Sequence, residues 1–209
     1  MPASPPTPKG RRTEAAFLDA ARKVFAEQGY LNAKISDIAH AAGKSPGSFY
    51  NYYENKEELL QALLEQFSVE VLESSFQARG EDPMDGIRAA VRAYWTTYRK
   101  YLAEMVGVFQ MSMTDETFAE RWREHRAVGI RVVRAGIRNA ERSGYRVGAA
   151  PGLLASAIVS VLEAFCWVWM VSGGDTDVDP PDDEAAIETL SLLWYRAVYH
   201  GEPGDQPSA

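Results

Sequence analysis

The side chains with the most capacity for chemistry lie in one short segment of the chain. Of the six positions from Ser48 to Tyr53, five carry a hydroxyl or an amide group. This is more hydrogen-bonding capacity than a purely structural turn requires. Such groups can bond to phosphate oxygens and to the edges of nucleic-acid bases. The segment is therefore a candidate site for recognition by hydrogen bonds.

Two very short helices joined by a glycine turn are predicted to position these side chains. Gly43 can adopt the left-handed backbone that ends a helix. Ser45 and Pro46 follow it, a capping residue and the residue best suited to a first helical position. The second helix is expected to extend to about Tyr53. A helix pair with a polar second member is the layout of a DNA-reading helix-turn-helix. The alternative is an ordinary helical hairpin whose polar helix faces water.

A longer helix is predicted on either side of this pair. Upstream, apolar residues recur on one face of a helix that Thr13 caps and Gly29 ends. Downstream, Asn55 caps a helix with Glu58 three positions on, which is the spacing of a capping box. The polar pair would thus be held between two amphipathic helices.

Residues 1–12 are predicted to form a disordered arm, because they are rich in proline and lack the apolar region of a secretory signal. Lys9, Arg11 and Arg12 at its end could enter a minor groove or contact phosphate. The alternative is a tail that only increases solubility. Residues 201–209 are polar, contain proline and are also expected to be disordered.

The run from Arg12 to Leu60 resembles the DNA-binding domain of the TetR/AcrR family of bacterial transcriptional regulators. The matching residues, in register, are Ala20, Ala21, Phe25, Ala26, Glu27, Gly29, Tyr30, Asp37, Ile38, Ala39, Ala42, Gly43, Gly47, Ser48, Phe49, Tyr50, Tyr53, Lys56 and Glu57. The resemblance covers roughly a quarter of the 209 residues. It implies an all-α fold of about nine helices: a three-helix DNA-binding domain at 13–55, then a ligand-binding and dimerisation domain at 56–200.

The DNA contacts are expected from nine residues around the second helix. Ser45, Ser48 and Tyr52 are expected in the groove, and Pro46 could contact a thymine methyl group. By the resemblance, Tyr50 and Lys56 grip phosphate. Two lysines depart from the family pattern and add positive charge: Lys44 replaces a buried aliphatic residue, and Lys34 replaces a capping threonine at a cost of roughly 1 kcal/mol. Ser36 completes the set.

The charge is unevenly distributed along the chain. The net charge is −7, but residues 1–56 hold eight Lys or Arg against five Asp or Glu, a balance of +3. The remainder holds 14 against 24, a balance of −10. A basic first part on an acidic body suits a protein that binds a polyanion with one end.

Residues 153–171 are nearly all apolar and long enough to span a bilayer. Glu163 near the middle would cost roughly 3 kcal/mol in lipid. A helix that is apolar all round can equally be buried in protein, and this interpretation is favoured. One chain of this size has difficulty covering both faces of such a helix, so a second subunit is expected to cover one of them.

The resemblance implies the same pairing. In the family, the last two long helices form a four-helix bundle with their copies in a second subunit; here these are residues 151–172 and 183–199. The expected interface residues are Leu154, Ile158, Leu162, Trp167, Trp194 and Val198.

Large side chains are concentrated between the fifth and eighth predicted helices. They are Trp95, Tyr98, Phe109, Met113, Phe118, Trp122, Phe165 and Trp169. Each one alone is better explained as core, but together they are bulky for a small helical body, and aromatic rings and Met suit a ligand cavity. The resemblance implies a small-molecule effector in this region, which we expect to be hydrophobic or aromatic.

Enzymatic and metal-binding functions find little support. The three histidines lie in no ligand pattern, and the chain has no glycine-rich phosphate loop or nucleophile elbow. The single cysteine, Cys166, fits a reducing cytosol. We therefore expect a cytoplasmic, dimeric regulator without a cofactor, released as a repressor from a palindromic operator by its effector. The alternative is a helical carrier or sensor of a hydrophobic ligand that does not regulate DNA.

Overall fold

The computed structural model describes residues 7–77 and 82–199, and within them it contains nine α-helices and no strand. The helices are α1 (Pro8–Gln28), α2 (Ile35–Ala41), α3 (Pro46–Phe49), α4 (Lys56–Gln77), α5 (Pro83–Lys100), α6 (Leu102–Thr114), α7 (Glu116–Arg142), α8 (Pro151–Met170) and α9 (Asp183–Val198). The predicted all-α class is confirmed. The predicted tail at 201–209 and residues 1–6 of the predicted arm lie outside the described residues.

Helix α1 begins earlier than predicted. The Thr7 hydroxyl caps it by accepting a hydrogen bond from a backbone amide at 3.1 Å, and Pro8 occupies the first position. Thr13, the predicted cap, lies inside the helix. A threonine followed by proline is the same start signal as the serine and proline that begin α3. The prediction of a disordered arm is therefore wrong for its three basic residues, Lys9, Arg11 and Arg12.

The chain divides into two compact units. The first comprises Met1–Phe67 and Tyr101–Glu116, and the second comprises Ser68–Lys100 and Thr117–Ala209. Helix α4 contributes to both units, and α6 belongs to the first. The compact units thus divide the chain elsewhere than the predicted boundary after residue 55.

The first unit is organised around aromatic rings contributed by α1 and α3. Phe17 and Phe49 are fully buried and meet edge to face with ring centroids 5.5 Å apart. Phe25 and Tyr30 make a second such pair at 5.3 Å. Edge-to-face contacts of this kind add to the stabilisation from burial. This core fixes α2 and α3 against α1.

Within the first unit, α6 packs against the Tyr30 side chain with very little free space. A Cβ atom added to Gly107 would lie 2.8 Å from Cβ and Cγ of Tyr30. In the same unit, Arg22 lies 3.3 Å from the buried Glu104 carboxylate and 4.2 Å from the Tyr101 ring centroid. Burial raises the pKa of Glu104, and the Arg22 charge partly opposes this shift.

In the second unit, α5 and α9 are joined by a row of polar contacts. The Trp95 indole donates to Asp183 at 2.9 Å, and Arg99 pairs with the same carboxylate. Arg92 and Arg88 pair with glutamates one and five positions further along α9. These contacts hold the start of α9 along α5.

Helix α8 is long and apolar enough to cross a membrane by length and composition. Only 28% of its most apolar 18 residues are buried within the chain. Glu163 of α8, however, accepts a hydrogen bond from Arg126 of α7 at 2.8 Å. The core helix of a soluble protein can have the same length and composition, and this ion pair shows that α8 packs on protein along the side that carries Glu163.

We predict that Gly107→Ala destabilises the protein by about 1–3 kcal/mol, because the new methyl group overlaps the Tyr30 side chain. Gly136→Ala in α7 is the matched control, since nothing lies within 4 Å of its Cβ position. It should stabilise α7 by up to about 1 kcal/mol. Thermal unfolding followed by circular dichroism measures both, and equal melting temperatures for the two variants would contradict the close approach.

Candidate nucleic-acid interface

The turn between α2 and α3 has the geometry that the sequence predicts. Gly43 has a φ of +65°, and the Lys44 amide donates to the Ala39 carbonyl at 2.9 Å. This is the hydrogen bond of a Schellman motif, which ends α2. The Ser45 hydroxyl then caps α3 by accepting from the Ser48 amide at 3.2 Å. These local bonds set the exit of α2 and the start of α3.

Helix α3 is shorter than predicted. Regular helix ends at Phe49, and residues 50–52 form turns. Tyr50 is 58% exposed, and its ring meets Phe49 edge to face at 5.6 Å. The short element leaves Tyr50 available at the surface.

The nine predicted DNA contacts fall into two groups by exposure. Six are exposed, namely Lys34, Ser36, Lys44, Ser45, Pro46 and Tyr50. Three are half-buried, namely Ser48, Tyr52 and Lys56. Lys34 precedes α2 without a side-chain capping bond, as its type predicts. The exposed group gives this surface two ammonium groups and several hydroxyls.

The half-buried Tyr52 contributes to the core as well as to the surface. Its ring lies 5.7 Å from that of Phe17. The neighbouring Tyr53 is buried, and its hydroxyl has no hydrogen-bond partner among the described residues. Burial accordingly raises the pKa of Tyr53.

Lys56 has partners that the sequence did not indicate. Its ammonium group donates to the carbonyl oxygens of Tyr30, Leu31 and Ala33 at 2.7, 3.3 and 3.0 Å. The same group lies 4.4 Å from the Tyr30 ring centroid, and burial lowers the pKa of Lys56. An ammonium group has three N–H donors, so all three are engaged within the protein. The phosphate role expected for Lys56 stays a prediction, but its structural role is clear.

The start of α4 is capped almost as predicted. The Glu58 amide donates to Asn55 Oδ1 at 2.8 Å. The Glu58 carboxylate accepts from the Glu54 amide, one residue before the amide that a standard capping box uses. Both bonds fix the chain between α3 and α4.

The predicted ligand residues do not form one cluster within either unit. Phe109 and Met113 lie on α6 of the first unit and are 40% and 68% exposed. The other six belong to the second unit; Trp95, Tyr98 and Phe118 are buried, and Trp122, Phe165 and Trp169 are half-buried. The Trp95 indole is engaged by Asp183, so for this residue the core interpretation fits the structure.

A polar group lies among these aromatic side chains in the second unit. The His125 ring stacks on Trp122 at 5.4 Å, and Ser68 Oγ lies 2.9 Å from Nδ1 of His125. Burial lowers the pKa of His125 to about 4, so the ring is neutral at physiological pH. Among the described residues, no group of three potential metal ligands exists.

Three of the six predicted interface residues are buried within the chain. Ile158, Leu162 and Val198 are at most 6% exposed, so they pack in the core of the chain itself and have little surface left for a second subunit. Leu154, Trp167 and Trp194 are half-buried. The exposed apolar side chains are instead Leu153 on α8, at 72%, and Leu193 on α9, at 48%. Hydropathy alone could not separate the two faces of a helix that is apolar all round.

Residues 7–77 and 82–199 contain helices and no strand, and a capped α3 that follows α2 through a glycine turn is the arrangement of a helix-turn-helix DNA-binding protein. Residues 17–63 match the model of bacterial regulatory proteins of the tetR family. The HTH-type transcriptional repressor AcnR of Corynebacterium diphtheriae is 30% identical over 168 residues, which are 80% of this chain and 84% of that protein. The chain therefore belongs to the TetR family of transcriptional regulators.

Solved structures share the fold. The fatty acid degradation regulator FadR from Bacillus halodurans has a TM-score of 0.73 and 19% identity, covering 91% of this chain and 96% of its own. FadR from Bacillus subtilis, in complex with stearoyl-CoA, has a TM-score of 0.74 and 18% identity, covering 88% and 99%. At these identities the likeness concerns the fold alone.

We predict that Lys56→Met lowers the stability of the fold, whereas Lys44→Met changes DNA binding without changing stability. Lys56→Met leaves three carbonyl groups without their donor and should destabilise the protein by about 1–3 kcal/mol. Lys44→Met should leave the melting temperature unchanged, because Lys44 is exposed, and should reduce the slope of log K against log salt for DNA binding by about 1. Thermal unfolding and a salt titration of DNA binding measure the two effects. A stable Lys56→Met variant would show that its carbonyl contacts contribute little.

Proposed function

We propose that this regulator is a cytoplasmic homodimer that represses transcription by binding a palindromic operator and that a hydrophobic small molecule releases it. The observation that carries the proposal is the exposed surface of α2 and α3. It presents Lys34, Lys44, Ser45 and Tyr50 beside a short helix whose orientation the local caps fix. Two such surfaces related by a two-fold axis would read half-sites one helical turn, about 34 Å, or a multiple of it apart.

Different side chains of this surface carry different parts of the binding energy in this proposal. Lys44, Lys34 and Tyr50 are exposed and suit phosphate oxygens, which positions the protein without reading sequence. Ser45 and Ser48, at the first turn of α3, suit base edges. A short helix offers few such positions, so each should have a measurable effect on base preference.

A second copy is proposed on the uncovered face of α8. Leu153, Ala157, Ser160 and Ala164 are exposed and recur at helical spacing on one face. Only 28% of the most apolar 18 residues of α8 are fully buried within the chain, and covering the apolar area that remains accessible is favourable at about 25 cal/mol per Å².

The effector is proposed to bind in the second unit, where half-buried aromatic rings remain beside the buried core. Phe165 lies 5.9 Å from Trp95 and 6.1 Å from Trp169, measured between ring centroids. Rings that are partly accessible can contact an apolar ligand without displacing the core. The stearoyl-CoA complex of the Bacillus subtilis FadR supports testing acyl compounds first.

We predict that Ser48→Ala changes the preference at particular base pairs, because Ser48 contacts base edges in this proposal. Tyr50→Phe should weaken binding to all sequences alike, because Tyr50 contacts phosphate. Each mismatch at a base that is read should otherwise cost about 1–3 kcal/mol. Binding to an operator selected from random duplexes, and to its single-base variants, is measured by fluorescence anisotropy. Ser74→Ala on α4 is the control, as an exposed serine outside the first unit.

Failure to bind any duplex at low salt would instead favour a carrier or sensor of a hydrophobic ligand. Equal effects of Ser48→Ala and Tyr50→Phe on operator and random DNA would refute the division of roles.

We predict that an effector raises the melting temperature and releases the operator. A ligand that fits one arrangement of the protein better than another shifts the population toward it, and a coupling of ~3 kcal/mol weakens DNA binding more than 100-fold. A thermal-shift screen of acyl and aromatic compounds, repeated with Phe165→Ala, finds ligands of this site. A ligand that stabilises the protein and leaves operator affinity unchanged would show that the two activities are uncoupled.

A further inference from the structure

Four arginines in the C-terminal half of α7 form a stripe on one side of the helix. Arg131, Arg134, Arg138 and Arg142 follow one another at intervals of three, four and four residues, which keeps them within about 80° around the helix axis. Three are exposed and Arg134 is half-buried. Within residues 7–77 and 82–199, no carboxylate forms an ion pair with any of the four. Like charges at this spacing repel one another, and the described part of the chain supplies no carboxylate that offsets this repulsion. We call these four residues the arginine stripe.

Three carboxylates in the connection between α8 and α9 also form no ion pair with a described residue. They are Asp175, Asp177 and Asp179, and all three are exposed. The acids that follow are used within the chain. Asp182 caps α9, while Asp183 and Glu184 pair with arginines of α5. We call Asp175, Asp177 and Asp179 the acidic segment.

The arginine stripe and the acidic segment cannot meet within one chain. Helices α7 and α8 are antiparallel, because Arg126 bonds to Glu163 while Arg134 lies beside Gly152. The stripe therefore flanks the N-terminal end of α8, and the acidic segment follows its C-terminal end. The 20 residues of α8 separate them by about 30 Å.

In the dimer proposed above, a two-fold axis through the middle of α8 would bring the two features together between copies. The exposed face of α8, from Leu153 to Ala164, carries small residues around the helix midpoint, where a second backbone can approach. With two antiparallel copies of α8 crossing near residues 160 and 161, the C-terminal end of α8 in one copy would lie beside the N-terminal end of α8 in the other. The acidic segment follows the first of these ends and the arginine stripe flanks the second, so the two would then be neighbours.

We infer that the arginine stripe of one copy binds the acidic segment of a second copy, so that two sets of ion pairs flank the apolar contact of α8. The inference rests on the dimer proposed above and adds its register and orientation. Because a two-fold interface is self-complementary, each ion pair occurs twice. Opposite charges at the ends of an apolar interface fix register and exclude wrong partners.

Charge reversal and charge exchange test this pairing in the full-length protein. The variant Arg138→Glu/Arg142→Glu should raise the dimer dissociation constant by about 10-fold or more, because like charges then face each other twice. The variant Asp175→Lys/Asp177→Lys should do the same. Combining all four substitutions should restore much of the affinity. Arg123→Glu, elsewhere on α7, is the matched control and should have little effect. Sedimentation velocity at 50 and 300 mM salt measures the dimer dissociation constant of each protein.

The outcomes separate the inference from the dimer itself. A wild-type chain that remains monomeric at micromolar concentration would overturn both. A dimer that is insensitive to the reversals, or weakened by them without recovery in the combined variant, would overturn the pairing and leave the dimer standing. Loss of DNA binding in the arginine variant with unchanged dimerisation would assign the stripe to nucleic acid instead.

Discussion

Three backbone carbonyl groups in the turn after α1 converge on the ammonium group of Lys56, at the first position of α4. Carbonyl groups in a turn have no helical partners of their own, and one cation supplies hydrogen bonds to all three. The contact joins residues 23 to 26 positions apart, so it closes a loop that contains α2 and α3. Together with the aromatic core, this closed loop holds the surface of α2 and α3 in position. The ammonium group of one half-buried lysine thus fixes the two ends of the segment that carries α2 and α3.

Local rules predicted the elements of the first unit well, because their signals lie within four residues of each other. The glycine end of α2, the serine cap of α3 and the asparagine cap of α4 are all present. The start of α1 was missed although Thr7 and Pro8 carry an equivalent signal. The role of Lys56 could not be predicted, since its carbonyl partners are backbone atoms that any sequence would supply. Hydrogen bonds to backbone leave no trace in the residue types of their acceptors.

In the second unit, composition predicted many large apolar side chains. It did not predict which of them are buried in the core and which remain partly accessible. Trp95 is buried and held by Asp183, whereas Trp169 is half-buried. For α8 the sequence indicated that both faces are apolar, and the structure shows which one is covered: Ile158 and Leu162 face the chain's own core, and Leu153 does not. Faces of a uniformly apolar helix differ only through the neighbours that tertiary packing brings to them. This distinction therefore required coordinates.

The uncovered face of α8 also affects how the concentration of the dimer depends on the concentration of the chain. If two copies must cover this face, association stabilises the native state by mass action, and the folded fraction rises with the concentration of chains. At low expression the number of assembled molecules grows with the square of the chain concentration. A gene that encodes such a protein would give almost no control until synthesis passes a threshold. Because of this one apolar face, the few chains made at low expression would then remain undimerised and would not regulate transcription.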